Sequence, residues 1–200
     1  MQNLNLDDTG DWEVDKYPDS TGSGSEDVVA GTLVTLTAKV SAGGSAEVDP
    51  TVSITDKTGA AIEPEKVEYD RETNLLTVEY RVMAGSADAE GAATYNVKLS
   101  KAGCTYFELT GIPMITSIKS LDLNTFNKGK EIELLAGDAN GDGKINVLDL
   151  SLAKTNFDKL LKDDPTLLGD VNSDGKISVL DLSLIKTNFD QNSDKVTYAS

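Results

Sequence analysis

Asp138-Ala-Asn-Gly-Asp-Gly-Lys-Ile-Asn-Val-Leu-Asp149-Leu-Ser-Leu-Ala-Lys-Thr-Asn-Phe-Asp158 is written a second time as Asp170-Val-Asn-Ser-Asp-Gly-Lys-Ile-Ser-Val-Leu-Asp181-Leu-Ser-Leu-Ile-Lys-Thr-Asn-Phe-Asp190. The two copies stand 32 residues apart, and 17 of their 21 aligned positions are identical. Each copy begins with a polar segment rich in Asp, Asn and Gly. Each then passes into an apolar stretch with helical spacing, Val147-Leu-Asp-Leu-Ser-Leu in the first and Val179-Leu-Asp-Leu-Ser-Leu in the second. An internal duplication of this kind predicts two copies of one small loop–helix unit packed together.

Within each polar segment, oxygen-bearing side chains fall at positions 1, 3, 5, 9 and 12, with glycine at 6. This is the spacing of an EF-hand calcium loop. Calcium is a hard cation that takes six to eight oxygens. In the first loop Asp138, Asn140 and Asp142 would give side-chain oxygens and Lys144 its backbone carbonyl. Asn146 would act directly or through water, and Asp149 would close the loop. In the second loop Asp170, Asn172, Asp174, Lys176, Ser178 and Asp181 take the same roles. Gly143 and Gly175 permit the sharp turn. Asp/Asn/Gly clusters are often nothing more than turns; two copies with every ligand position filled argue against that. The segments before the loops, Asn127-Lys-Gly-Lys130 and Pro165 to Gly169, are poor helix sequence. Each unit is therefore a half-hand, a loop followed by one helix, in which metal folds the module more than it switches it. Ile145 and Ile177, at loop position 8, are expected to pair the two loops as a short β-bridge.

Each helix carries two apolar stripes. Leu150, Ala153 and Phe157, with Leu182, Ile185 and Phe189, have core spacing and are expected to pack the two halves together. The second stripe holds Val147, Leu148, Leu152 and Thr155, and in the other copy Val179, Leu180, Leu184 and Thr187. A module of this size can hardly bury both stripes. The second stripe is expected either to pack on the rest of the chain or to form an apolar docking patch flanked by Lys154 and Lys186. Two near-equivalent patches predict two binding orientations.

The first 135 residues read as β. Gly31–Val40, Thr51–Thr55, Leu75–Val82, Thr94–Leu99, Tyr106–Leu109 and Glu131–Leu135 are short alternating runs separated by turn signals such as Ala42-Gly-Gly-Ser45, Arg71-Glu-Thr-Asn74 and Gly85-Ser86. Their number and spacing predict an antiparallel sandwich. The Ser/Gly-rich stretch from Asp19 to Ser25 reads as a loop or hinge. Only Ala136 and Gly137 separate the last strand from the first loop, so the two parts are expected to be held rigidly together.

The net charge of −16 argues against nucleic acid and anionic membranes. With no histidine in the chain, His-based catalysis and His-ligated zinc have no residues to use. The single cysteine, Cys104, reads as a small buried residue beside a strand. The chain is therefore expected not to be an enzyme. Trp12 is the one tryptophan, with Tyr17 close by, and it alone offers a sugar platform, whereas Tyr69, Tyr80, Tyr95 and Tyr106 sit in strand patterns.

The tandem DxNxDGxxNxxD-type loops at 138–149 and 170–181 resemble the dockerin family, in a type I-like form. The resemblance implies two calcium F-hand loops holding two Ca2+ ions. It implies a cohesin module of a scaffoldin as partner, and a secreted, cell-surface complex of the cellulosome type that degrades plant polysaccharide. Carried over by position, the family's partner contacts fall on Val147, Leu148, Lys154, Thr155 and Lys159, and on Val179, Leu180, Lys186, Thr187 and Gln191. Leu152 and Leu184 join them from the stripe analysis. Thr94-Tyr-Asn-Val-Lys-Leu-Ser-Lys-Ala-Gly103 is similar to the closing strands of Ig-like and carboxypeptidase-regulatory-like sandwiches. By position, the first part resembles the X modules that precede some dockerins. The expected organisation is an Ig-like β-sandwich over 1–135 and a small α-helical dockerin over 136–200. The expected function is non-catalytic docking with no nucleic acid and no membrane insertion. Two alternatives remain: a calcium-binding cap that binds no cohesin, or a sandwich that binds carbohydrate.

Overall fold

The computed structural model describes residues 31–83 and 93–199. Trp12, Tyr17, the Asp19–Ser25 stretch and the Gly85-Ser86 turn lie outside the described residues.

Alternation builds the first sheet. In β1 (Thr32–Ala42) Val34, Leu36, Ala38 and Val40 are buried while the threonines between them face outward. In β4 (Leu75–Val82) the buried set is Leu76, Val78, Tyr80 and Val82. The two strands pair antiparallel with Leu36 opposite Val78 and Val34 opposite Tyr80, so both apolar sets share one face. β3 (Pro64–Asp70) lies outside β4 as an edge strand. Its charged, mostly exposed sequence suits an edge and explains why it carries no alternating signature.

The other flank of β1 is a parallel edge in two pieces. β7 (Ser120–Asp122) pairs with its first half and β8 (Ile132–Leu134) with its end. The short helix α1 (Leu123–Phe126) intervenes. At the gap, the Lys39 N–H donates to Asn124 Oδ1 at 2.7 Å, and Asn124 Nδ2 donates to the Lys39 carbonyl at 3.0 Å. A side-chain amide thus stands in for the missing strand partner, so no backbone group of Lys39 is orphaned.

The second sheet has the order β2 (Thr51–Asp56), β5 (Thr94–Ser100), β6 (Phe107–Pro113), β9 (Asp194–Thr197). Ile54, Tyr95, Val97, Leu99, Phe107, Leu109 and Ile112 point inward and join the first sheet's apolar face in one core. This makes the expected sandwich, except that it is not wholly antiparallel: β7 and β8 run parallel to β1, and β9 runs parallel to β6. Tyr80 and Tyr95 reach across it edge to face, with their hydroxyls 3.0 Å apart, so neither buried phenol lacks a partner. Cys104 is buried, as expected.

Two further helices, α2 (Val147–Thr155) and α3 (Val179–Thr187), follow the two loops. Ala139, Ile145, Ala153, Val171, Ile177 and Ile185 form a second, smaller core between them. Several contacts bind this module to the sandwich. Gly137 and Asp138 both donate their N–H to the Gly103 carbonyl, and Ser45 donates to the Asn172 carbonyl at 2.6 Å. At Gly43 and Gly103 a Cβ would fall 2.7 Å from the backbone of Ala136 and Val171, so the turns of the sandwich lie directly on the module. Beyond the second helix the chain returns to the sandwich, where β9 pairs in parallel with β6. Among the described residues no helix is long and apolar enough to cross a membrane.

Candidate functional site

The two loops fold alike because each closing aspartate does several jobs. Asp149 is fully buried. Its Oδ1 accepts from the Ala139 and Asn140 N–H groups at 2.8 and 3.2 Å, and its Oδ2 accepts from Asn146 N–H at 2.8 Å. Asp181 repeats this with Val171, Asn172 and Ser178. Asn146 and Ser178 in turn accept from Leu148 and Leu180 N–H, completing capping boxes at the N-termini of α2 and α3. The loop-opening residues are tied similarly. Asp138 accepts from Asp142 and Gly143 N–H at 3.1 and 2.8 Å, and Asp170 from Asp174 and Gly175 N–H at 3.2 and 2.9 Å.

Burial holds the Asp138 carboxyl above its ordinary value; the Gly143 N–H opposes this, while the charges of Asp149 and Asp142 push it further up. Asp170 is raised by burial in the same way, opposed by the Gly175 N–H and reinforced by Asp181 and Asp174. Among the described residues none of the six loop aspartates forms an ion pair with a lysine or arginine. Nor do three or more Asp, Glu, Cys or His side chains converge there as a ready-made cage. The donors in each loop are of mixed type: carboxylates at positions 1, 5 and 12, an amide at 3, and the Lys144 or Lys176 carbonyl at 7. Grouped like charges not tied up in ion pairs, next to neutral oxygens, fit a hard divalent ion. Such an ion would offset both the burial and the mutual repulsion that raise Asp138 and Asp170. Asn146 and Ser178, at position 9, also cap the helices with their side-chain oxygens.

The expected Ile145–Ile177 bridge does not form. Ile145 instead exchanges hydrogen bonds with the far end of the other repeat: its N–H donates to Gln191 O, and Asp190 N–H donates to its carbonyl. Ile177 does the same with Lys159 and Asp158. Each loop is thus clasped by the segment leaving the other repeat's helix, with bridges Lys144–Asn192 and Leu160–Lys176. Gly137 and Gly169 extend this exchange. A Cβ on Gly137 would fall 3.3 Å from Ile185 Cα, and one on Gly169 would fall 2.8 Å from Ala153 Cα. Asn156 donates to the Leu168 carbonyl and Asn188 to the Ala136 carbonyl. None of these residues stood out in the sequence as part of the site. Their signal was the matching of Leu135-Ala-Gly137 with Leu167-Leu-Gly169, which carries the duplication upstream of the loops.

The apolar stripes divide differently from expectation. Ala153 and Ile185 are buried and Leu150 and Leu182 half-buried, as core spacing predicted. Phe157 and Phe189 are not core residues: they are exposed, because each helix ends before them. In the second stripe, Leu152 and Leu184 are half-buried, and Leu184 touches both cores. Val147, Leu148, Val179 and Leu180 stand in solvent at 64%, 56%, 66% and 58% exposure. Lys154, Thr155, Lys159, Lys186, Thr187 and Gln191 are exposed as well.

The turn glycines separate the loops. Gly143 and Gly175 share a φ of +85°, where any other residue is strained. A Cβ on Gly143 would also strike the Tyr106 ring at 2.7 Å, whereas Gly175 faces open space. Gly143→Ala is expected to lower the melting temperature clearly more than Gly175→Ala, which should cost about 1 kcal/mol. Calorimetric scans of both variants in calcium check this, and equal shifts would contradict the packing of loop one on Tyr106.

Two loop–helix units, each built around an oxygen-lined loop and clasped to the other, define a tandem half-hand module carried on a β-sandwich. Residues 136–190 match the family model of the dockerin type I domain. The match covers about a quarter of the chain and leaves out both sheets; type I dockerins are calcium-binding modules. No curated protein matches the chain. The solved structures similar to it include an N-terminal and a C-terminal interface mutant of the type II cohesin–X-dockerin complex from Acetivibrio cellulolyticus. Each is 22% identical with a TM-score of 0.47, covering 80% and 82% of this chain and 97% and 98% of theirs.

Proposed function

We propose that the chain is a non-catalytic, calcium-dependent docking unit that binds a cohesin module of a scaffoldin and anchors a secreted protein in an extracellular assembly. The unit would comprise an X-module-like sandwich as rigid support and a dockerin from about residue 136, after which residues 194–197 return to the sandwich as β9. Two calcium ions would be held by the donor sets of loops 138–149 and 170–181. The observation that carries this reading is the paired exposure of Val147-Leu148 and Val179-Leu180. An adjacent Val-Leu pair left in solvent at the first turn of each helix, in both copies and to nearly the same degree, suits a docking surface. The contact set is Val147, Leu148, Lys154, Thr155 and Lys159 on one face and Val179, Leu180, Lys186, Thr187 and Gln191 on the other. Exposure of the Val-Leu pairs favours docking over a cap that binds no cohesin. The sugar-binding reading turned on Trp12, outside the described residues.

Titration calorimetry of the chain against a panel of type I and type II cohesins tests the proposal. Tight binding in calcium that disappears in chelator is the expected result. Absence of binding throughout the panel, with the chain folded and calcium-loaded, would refute it.

A further inference from the structure

The two loops share a sequence but not their surroundings. Loop two is clasped by residues 158–161, with Leu161 N–H donating to Gly175 O at 2.9 Å, and nothing lies within reach of a Cβ on Gly175. Loop one is clasped by residues 190–193, with Ser193 N–H donating to Gly143 O at 2.7 Å. Here the clasp continues. Ser193 Oγ accepts from Tyr106 N–H at 2.9 Å, and Asp194 N–H donates to Tyr106 O at 3.0 Å. From that point residues 194–197 run along β6 as β9. Tyr198 ends the run, its N–H on Thr110 O at 2.8 Å and its ring 5.3 Å from that of Phe126. Loop two also touches the sandwich, through Val171 and Asn172, but it meets only the turns at Gly103 and Ser45 and seats no strand.

We propose that loop one is the calcium-dependent latch for the last strand of the sandwich. Closing loop one fixes Gly143 and Ile145, these hold residues 190–193, and the held segment delivers β9 to the β6 edge. A four-residue strand with one apolar residue, Val196, has little affinity of its own for a sheet edge and depends on this placement. Loop two orders the module without controlling β9. The inference rests on the calcium reading of the loops and not on the cohesin partner.

Hydrogen exchange on the full chain tests it, with Asp142→Ala and Asp174→Ala as matched variants at loop position 5, both exposed and outside the capping boxes. In calcium, Asp142→Ala is expected to lower protection of amides 194–198 by about tenfold or more. Asp174→Ala should leave them as in the wild type while unprotecting its own loop. Chelator should release 194–198 in the wild type. Equal loss in both variants, or unchanged protection in Asp142→Ala, would overturn the latch. If Asp142→Ala also unprotects β1 and so unfolds as a whole, Asp174→Ala decides alone: loss at 194–198 refutes the proposal, and retention supports it. A calorimetric calcium titration runs alongside; no uptake by the wild type would overturn the calcium reading itself, separately from any result with cohesin.

Discussion

Replacing Val147, Leu148, Val179 and Leu180 together by aspartate is expected to abolish cohesin binding, whereas replacing either pair alone should weaken it only about twofold. The two Val-Leu pairs are almost equally exposed and sit on helices of identical length. If either face can engage one partner site, losing one face removes half of the binding configurations. That costs about 0.4 kcal/mol, the free energy of a factor of two. Losing both removes apolar burial of roughly 1.5–3 kcal/mol per side chain. It also places charges where desolvation opposes association. The sum is on the order of a thousandfold or more. Calorimetry gives the affinities, and circular dichroism shows whether the helices persist, as they should, since all four side chains face solvent. Total loss from one pair would mean that a single face carries the interaction.

Asp149→Ala is expected to have the second large effect, eliminating calcium binding in loop one and unfolding the first loop–helix unit. Three N–H groups, from Ala139, Asn140 and Asn146, lose their shared acceptor. Orphaning a donor costs about 1–3 kcal/mol when it is buried. Added to the lost ligand, this exceeds what a core of six small and medium residues can supply. Asp149→Asn keeps the shape and part of the hydrogen bonding, and should be milder. Far-UV circular dichroism with a calcium titration separates the two variants. Two undiminished calcium sites in Asp149→Ala would show that Asp149 is a capping residue and not a ligand.

The loops, the helices after them and six of the strands were legible because their signals are local. Alternation in β1 and β4 and the position-by-position repetition of the ligand set need no knowledge of distant residues. What was not legible depends on partners far away in the chain. β7 and β9 have three and four residues, and β9 becomes a strand only because the β6 edge is next to it. The clasp between repeats was mistaken for a bridge between isoleucines, since symmetry alone does not say whether like pairs with like. Phe157 and Phe189 misled in another way. The i, i+3, i+7 spacing assumes that the helix continues through them. Asn156 and Asn188 end the helices, and Asp158 and Asp190 turn the chain with φ of +65° and +63°. Both rings therefore leave the face on which the spacing had placed them.

The return of β9 also governs how the chain bears load. The module leaves the sandwich through β8, in the five-stranded sheet, and comes back through β9, in the four-stranded one. A pull on the helices is therefore shared between two anchors in opposite layers, one of them covalently continuous with the module's first residue and the other a parallel ladder beside β6. To tear the module free, both must yield.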